Sequence, residues 1–182
     1  MANSAQTYKQ KIVLLGDFAV GKTSLINRYV YNIFSEKYIA TLGVRVSKKE
    51  VTLQQDNGKI NVTILLWDIN SEDRFQRVLP QYIMGSHGAV IVADVTRPET
   101  IENLSNHVEY FRTHAGERNI VISLNKIDLV NESTLNKLKI KVKDNPILSQ
   151  LDTFFTSAKE NENIKSVFTR IATLSIRGPN SV

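Results

Sequence analysis

Cysteine is absent from this 182-residue chain. That fits a reducing compartment, and it leaves no side chain to carry a prenyl or palmitoyl group. Long apolar runs are missing too. The stretch "AVIVA" (89–93) is typical, far short of the roughly 18 residues that a membrane-spanning helix needs. The opening "MANSAQTYKQ" has neither the basic nor the apolar region of a signal peptide, and Ala2 stands where a myristoylation signal requires glycine. No linker, repeat or low-complexity block interrupts the chain. These absences lead to the expectation of a cytoplasmic protein with no lipidation site in this chain.

What is present suits one domain: 42% of the 182 residues are hydrophobic, enough for a sizeable core. The net charge of +5 is weak evidence for acidic partners. No aromatic-interleaved basic platform accompanies it, so nucleic acid is not expected as a partner.

The order of elements is readable. "KIVLL" (11–15) is a short buried-strand pattern ending at Gly16, and residues 23–32 carry Leu25, Ile26, Tyr29 and Val30 at helical spacing. Residues 44–55 and 60–67 read as strands, joined through "DNGK" (56–59), whose Asn-Gly pair favours a tight hairpin turn. Then follow a strand at 89–95, a helix at 99–114, and strands at 120–124 and 153–157. A last amphipathic helix at about 160–175 has Ile164, Val167, Phe168 and Ile171 on one stripe. A hairpin followed by alternating strands and helices implies an α/β fold, a mostly parallel sheet with helices on both faces. One segment is ambiguous. "NKLKIKVKD" (136–144) alternates lysine with aliphatic residues, a strand period, while its place in the alternation suits a helix. Its four lysines suit an acidic or membrane surface, but a solvated face accounts for them more simply.

The strongest chemical pattern is "GDFAVGKT" (16–23), a match to G-x-x-x-x-G-K-[ST] between a strand and a helix start. Backbone N–H groups of Phe18, Ala19, Val20, Gly21, Lys22, Thr23 and Ser24 are placed to wrap phosphates, and the helix N-terminus adds positive potential. Lys22 supplies charge to the β- and γ-phosphates, and the Thr23 hydroxyl can ligate Mg²⁺. This loop does not choose between adenine and guanine. "NKID" (125–128) does: an aspartate there accepts from both N1–H and the exocyclic amine of guanine, a donor pair that adenine lacks. Asp128 is the specificity residue. Asn125 ties its loop to the phosphate loop, and the Lys126 stem lies over the base. "SAK" (157–159) adds Ser157, Ala158 and Lys159 to the base site, with the Ala158 N–H directed at the guanine O6.

With these motifs in this order, the chain resembles the Ras superfamily of small GTPases, most closely the Rab branch. The resemblance covers about residues 9–176 and also rests on "YIATLGV" (38–44), "WDINSEDRF" (67–75) and "HGAVIVADVT" (87–96). It implies the Ras-like P-loop fold, a six-stranded, mostly parallel sheet with one antiparallel strand and five helices. It divides the chain into a flexible N-terminus (1–8), a G domain (9–176) and a C-terminal tail (177–182) without a prenylation cysteine. It implies GTP or GDP as the bound nucleotide and Mg²⁺ held by Thr23, Thr41 and, through water, Asp68. Thr41 would also bind the γ-phosphate, Tyr38 would cover the phosphates, and Phe34 would pack edge-on against guanine. The implied partners are effectors, an exchange factor and a GTPase-activating protein at switch regions around 34–46 and 68–82. A monomer is expected, in the cytoplasm or at the cytosolic face of an organelle membrane, reached through a prenylated tail absent from this sequence, a partner or a further domain.

Several letters depart from the family pattern, which usually reads W-D-T-A-G-Q-E-R-F at residues 67–75. The glycine whose N–H binds the γ-phosphate is Ser71, the water-orienting glutamine is Glu72, and the next glutamate is Asp73. Phe18 stands at a phosphate-loop position that is usually glycine or serine, and Arg45 replaces an aspartate of the effector-facing strand. With Lys22, Thr41 and Glu72 as the catalytic set, these changes point to a switch with slow intrinsic hydrolysis. The alternative is a hydrolysis-deficient scaffold, GTP-loaded or indifferent to nucleotide.

Overall fold

The computed structural model describes residues 7–35, 43–55, 58–69 and 79–177. Six strands form one sheet in the order β2-β3-β1-β4-β5-β6. They are β1 (Thr7–Leu15), β2 (Val44–Gln55), β3 (Gly58–Ile69), β4 (Gly88–Asp94), β5 (Asn119–Asn125) and β6 (Asp152–Thr156). Only the β2–β3 pair is antiparallel, with Val44 opposite Ile69 and Gln55 opposite Gly58. The other four pairings are parallel. This is the mostly parallel six-stranded sheet implied by the resemblance. β1 begins four residues before the apolar run, because Thr7 to Gln10 pair with the long strand β3.

Alternation along the strands supplies both faces of the sheet. Ile12, Leu14, Val90, Val92 and Val121 join one core with Leu25 and Ile26 of α1 (Lys22–Tyr31) and Ile164, Val167, Phe168 and Ile171 of α6 (Ile164–Arg177). Val13, Leu15, Ile91, Ile122 and Leu124 join the other, with Ile83 of α2 (Leu79–Ile83), Ile101 of α3 (Pro98–Glu102), Leu104, Val108 and Phe111 of α4 (Leu104–Ala115) and Val142 of α5 (Glu132–Asp144). β4 is buried along its whole length, as expected of a central parallel strand covered on both sides.

Three elements differ from expectation or resolve an ambiguity. The helix expected at 99–114 is broken at Asn103, which ends α3 through its N–H to the Glu99 carbonyl and begins α4. The described residues therefore carry six helices rather than the five that the resemblance implied. Residues 136–144 are helical. Asn131 caps α5 by accepting from the Thr134 N–H at 2.9 Å, and Leu135, Leu138 and Val142 face the core at helical spacing. Of the four lysines, Lys141 pairs with Glu102 and Lys139 lies over the Phe155 ring. The last helix starts at Ile164 rather than near 160, because Ser157 and Glu162 form a bridge and Asn161 and Asn163 adopt left-handed backbone.

Candidate functional site

The loop between β1 and α1 owes its two fixed glycines to two different neighbours. A Cβ on Gly16 would strike the Val92 carbonyl of β4, and a Cβ on Gly21 would strike the side-chain amide of Asn125. Both also have φ in the left-handed range, 134° and 103°, where glycine alone is unstrained. Ala19 sits between them with φ 59°, which costs a residue bearing a Cβ roughly 1–2 kcal/mol. Gly21 caps α1 with no side-chain hydrogen bond, and the first turn has no acidic residue. The positive end of the helix therefore stays open to an anion.

Lys22 is buried, and its ammonium donates to the Gly16 and Asp17 carbonyls, both at 2.9 Å. Its pKa is lowered to about 8, chiefly by burial and to a lesser degree by Arg97, against the opposing pull of Asp68 and Asp17. A buried ammonium under that strain is well placed to be stabilised by phosphate oxygens. Next to it, the Thr23 hydroxyl donates to Asp68 Oδ2 at 2.6 Å, so the structure brings together the two expected Mg²⁺ ligands that it describes. A hydroxyl and one carboxylate beside a phosphate site fit Mg²⁺, which favours oxygen ligands and keeps several waters.

The residues expected to read the base converge on the same edge of the sheet. Asn125 donates to the Val20 carbonyl at 3.0 Å, and its Oδ1 accepts from the Ala158 N–H at 3.3 Å and the Thr156 hydroxyl at 3.3 Å. One buried side chain thus joins the phosphate loop to both loops that follow β5 and β6. The Ser157 hydroxyl donates to Asp128 Oδ1 at 2.6 Å and accepts from the Glu160 N–H at 3.0 Å. These contacts make Ser157 a support for Asp128. The Ala158 N–H, expected to face guanine, is turned to Asn125 here.

Lys126 has φ 70°, and its ammonium meets Asp94 at 2.6 Å. Phe34 packs against the core beside α1. Ser24 lies in the first turn of α1, and Lys159 is exposed. Tyr38, Thr41, Ser71 and Glu72 lie outside the described residues.

Several residues that sequence reasoning passed over belong to this neighbourhood. Asp17 accepts from Asn103 at 2.9 Å and meets His107 at 2.8 Å, so the break between α3 and α4 places two side chains on the phosphate loop. Arg28 donates to the Ala158 and Lys159 carbonyls, both at 2.8 Å, with its guanidinium 5.8 Å from the Phe34 ring centre. Asp94, buried at the end of β4, accepts from the Thr96 N–H and hydroxyl and pairs with both Lys126 and Arg97. Burial raises its pKa, but Lys126 and Thr96 outweigh that and hold it below the ordinary carboxylate value. Charged letters inside "GDFAVGKT" and "ADVTR" were the available signals; a contact across about 80 residues has no local signature.

The comparisons with known proteins agree with this geometry. The sequence profile of the Ras family matches residues 11–177. The Ypt/Rab-type GTPase YPT7 of Saccharomyces cerevisiae is 35% identical over 173 residues, covering 89% of this chain and 79% of that protein. The Ras-related protein Rab11A of Lotus japonicus is 33% identical over 177 residues, covering 94% of this chain and 74% of that protein. The chain belongs to the Ras family, as a Rab-like small GTPase.

Proposed function

We propose that this chain is a guanine-nucleotide switch that binds GTP and GDP with Mg²⁺, hydrolyses GTP slowly, and acts in membrane traffic. The observation that carries the reading is the pairing of Ser157 with Asp128 at 2.6 Å, one Asn125 side chain away from the phosphate loop. It fixes a carboxylate in a loop tied to the one that carries Lys22 and the open start of α1, which supports a guanine reader beside a phosphate loop. Discrimination follows from hydrogen bonding. Guanine gives Asp128 two donors, whereas adenine would leave a desolvated carboxylate unmatched, at a cost of order 1–3 kcal/mol.

In the bound state, Lys22 and the backbone N–H groups of residues 18–24 hold the β- and γ-phosphates, and Thr23 with Asp68 holds Mg²⁺. Mg²⁺ neutralises charge on the phosphate oxygens. The family resemblance supports Thr41 at the γ-phosphate, Tyr38 over the phosphates and Phe34 at the base. Hydrolysis needs a water placed in line with the γ-phosphate. Glu72 can accept from that water, but unlike glutamine it has no N–H to donate to the phosphate. Ser71, with a Cβ where glycine usually turns towards the γ-phosphate, opposes closure of the same segment. Exchange factors, activating proteins and effectors would meet the chain at the two switch regions, on the cytosolic face of an organelle membrane. Among the described residues no helix is long and apolar enough to cross a membrane.

Competition against a fluorescent GDP analogue in Mg²⁺ tests the reading. GDP and GTP should displace the probe, and ADP and ATP should not. Equal displacement by ATP and GTP would sink it. A single-turnover assay with GTP then measures the hydrolysis step.

A further inference from the structure

The strained backbone of Ala19 requires something to hold it. A non-glycine residue in left-handed conformation persists when its surroundings over-determine it, and the peptide bond that precedes Ala19 has a definite restraint. The Phe18 carbonyl accepts from Arg97 Nη2 at 2.6 Å. That carbonyl and the Ala19 N–H are opposite ends of one planar trans unit, so fixing the direction of one fixes the other. Arg97 is fixed in turn. It stands at the start of α3 with extended backbone, immediately before Pro98, and its Nε lies 3.3 Å from Asp94 Oδ2. The same carboxylate oxygen holds the Lys126 ammonium at 2.6 Å. A continuous polar line therefore runs from the N-K-x-D loop through Asp94 and Arg97 to the middle of the phosphate loop. The guanidinium also lies near enough to Lys22 to oppose its charge, so it adds positive potential to the phosphate side of the site.

We propose that Arg97 is a positioning residue of the nucleotide site, holding the Phe18–Ala19 peptide so that the Ala19 N–H points at a nucleotide phosphate, and tying that orientation through Asp94 to Lys126 at the base. The inference rests on the guanine-nucleotide reading above. It assigns Arg97 a role that a generic solvent-facing arginine at a helix start would not have. A phosphate loop with glycine at residue 19 would need this support less, because glycine adopts positive φ without strain.

The test is a double-mutant cycle on the full chain. Dissociation of a fluorescent GDP analogue in Mg²⁺ is followed for the unaltered chain, Arg97→Ala, Ala19→Gly and the double variant, with Arg97→Lys as a fifth protein. Arg97→Ala should speed dissociation about tenfold, and in the Ala19→Gly background the same change should speed it threefold or less, a non-additivity that marks direct coupling. Arg97→Lys should recover part of the loss, since an ammonium can still donate to the Phe18 carbonyl. The Ala19 amide of the GDP-bound protein should exchange its hydrogen faster in Arg97→Ala, while amides in β4 and β5 keep their protection. An Arg97→Ala effect of equal size in both backgrounds, or no effect on dissociation, overturns the inference. If the unaltered chain fails to retain guanine nucleotide at all, both the functional reading and the inference fall. If it retains GDP and Arg97→Ala is silent, only the inference falls.

Discussion

The side-chain amide of Asn125 occupies the space that a Cβ on Gly21 would need, and from there it donates to the Val20 carbonyl at 3.0 Å. The two residues are complementary: the glycine makes room for the amide, and the amide fixes the loop that the glycine bends. Asn125→Ala should leave the Val20 carbonyl and the Ala158 N–H without this partner. At about 1–3 kcal/mol for an unsatisfied buried group, GDP should bind at least tenfold more weakly, as titration calorimetry would show. Gly21→Ala should do the same through clash and strained φ. In the double variant the second change should cost less than it does alone, because Ala at 125 removes the obstacle.

Ser157 offers a separation of affinity from selectivity. Its hydroxyl supports Asp128 without replacing it, and a hydrogen bond to a charged group contributes about 1.5–3 kcal/mol. Ser157→Ala should weaken GDP roughly tenfold or more while the preference for guanine over adenine survives. Asp128→Asn should instead change the preference itself, towards xanthosine nucleotides, whose O2 acceptor replaces the guanine amine. Competition with guanine, adenine and xanthosine nucleotides reads both outcomes. A Ser157→Ala protein that accepts ATP would contradict the division of roles.

Most of the frame was legible from the sequence, and particular residues show why the remainder was not. The central strands announce themselves because burial on both faces demands unbroken runs such as "AVIVA". Gly16, Gly21, Lys22, Thr23, Asn125 and Asp128 are legible because each falls on a fixed letter of a short motif. Asn103 was read as helix interior since its polar side chain fits a helix surface; its contact with Asp17, 86 residues away, leaves no local signal. Arg28 and Arg97 were silent for a related reason. Each acts on backbone carbonyls, and a carbonyl leaves no trace in the identity of the residue that carries it. Ser157 was assigned to the base site by motif position, and its hydrogen bond to Asp128 could not be read from that position.

The hydrolysis rate should respond to Glu72. A carboxylate about 5 Å from a phosphate charge, at an effective dielectric near 20, meets a repulsion of roughly 3 kcal/mol, which Mg²⁺ and Lys22 offset in part. Glu72→Gln should speed single-turnover GTP hydrolysis, by about tenfold or more, with a larger gain in a Ser71→Gly background. If restoring glutamine slows the reaction or leaves it unchanged in both backgrounds, water positioning by this residue is the wrong explanation.

Acid should weaken the fold through His87. Its Nδ1 accepts from the Lys11 N–H at 3.1 Å, which requires that nitrogen to be unprotonated. Desolvation, followed by Arg118 and Lys11, depresses its pKa below the ordinary histidine value of 6.5. The unfolded chain then binds more protons than the folded one. The contribution is therefore present in full above about pH 6.5 and is lost as the pH falls through the folded value. Urea midpoints between pH 7.5 and 5 should fall less steeply for His87→Gln than for the unaltered chain. Parallel slopes would remove His87 from the account.

Helix α1 starts with Lys22 beside the phosphate loop and carries Arg28 on the loop after β6, the expected base loop, six residues further along. At about 1.5 Å per residue, the helix is a ruler of roughly 9 Å laid between these two loops. Its marks are set by residue count, whatever side chains stand between them. Substitutions on its outer face should therefore be absorbed. Insertion or deletion of a single residue between Lys22 and Arg28 would turn the arginine by about 100° and detach the base loop from the gauge that spaces it.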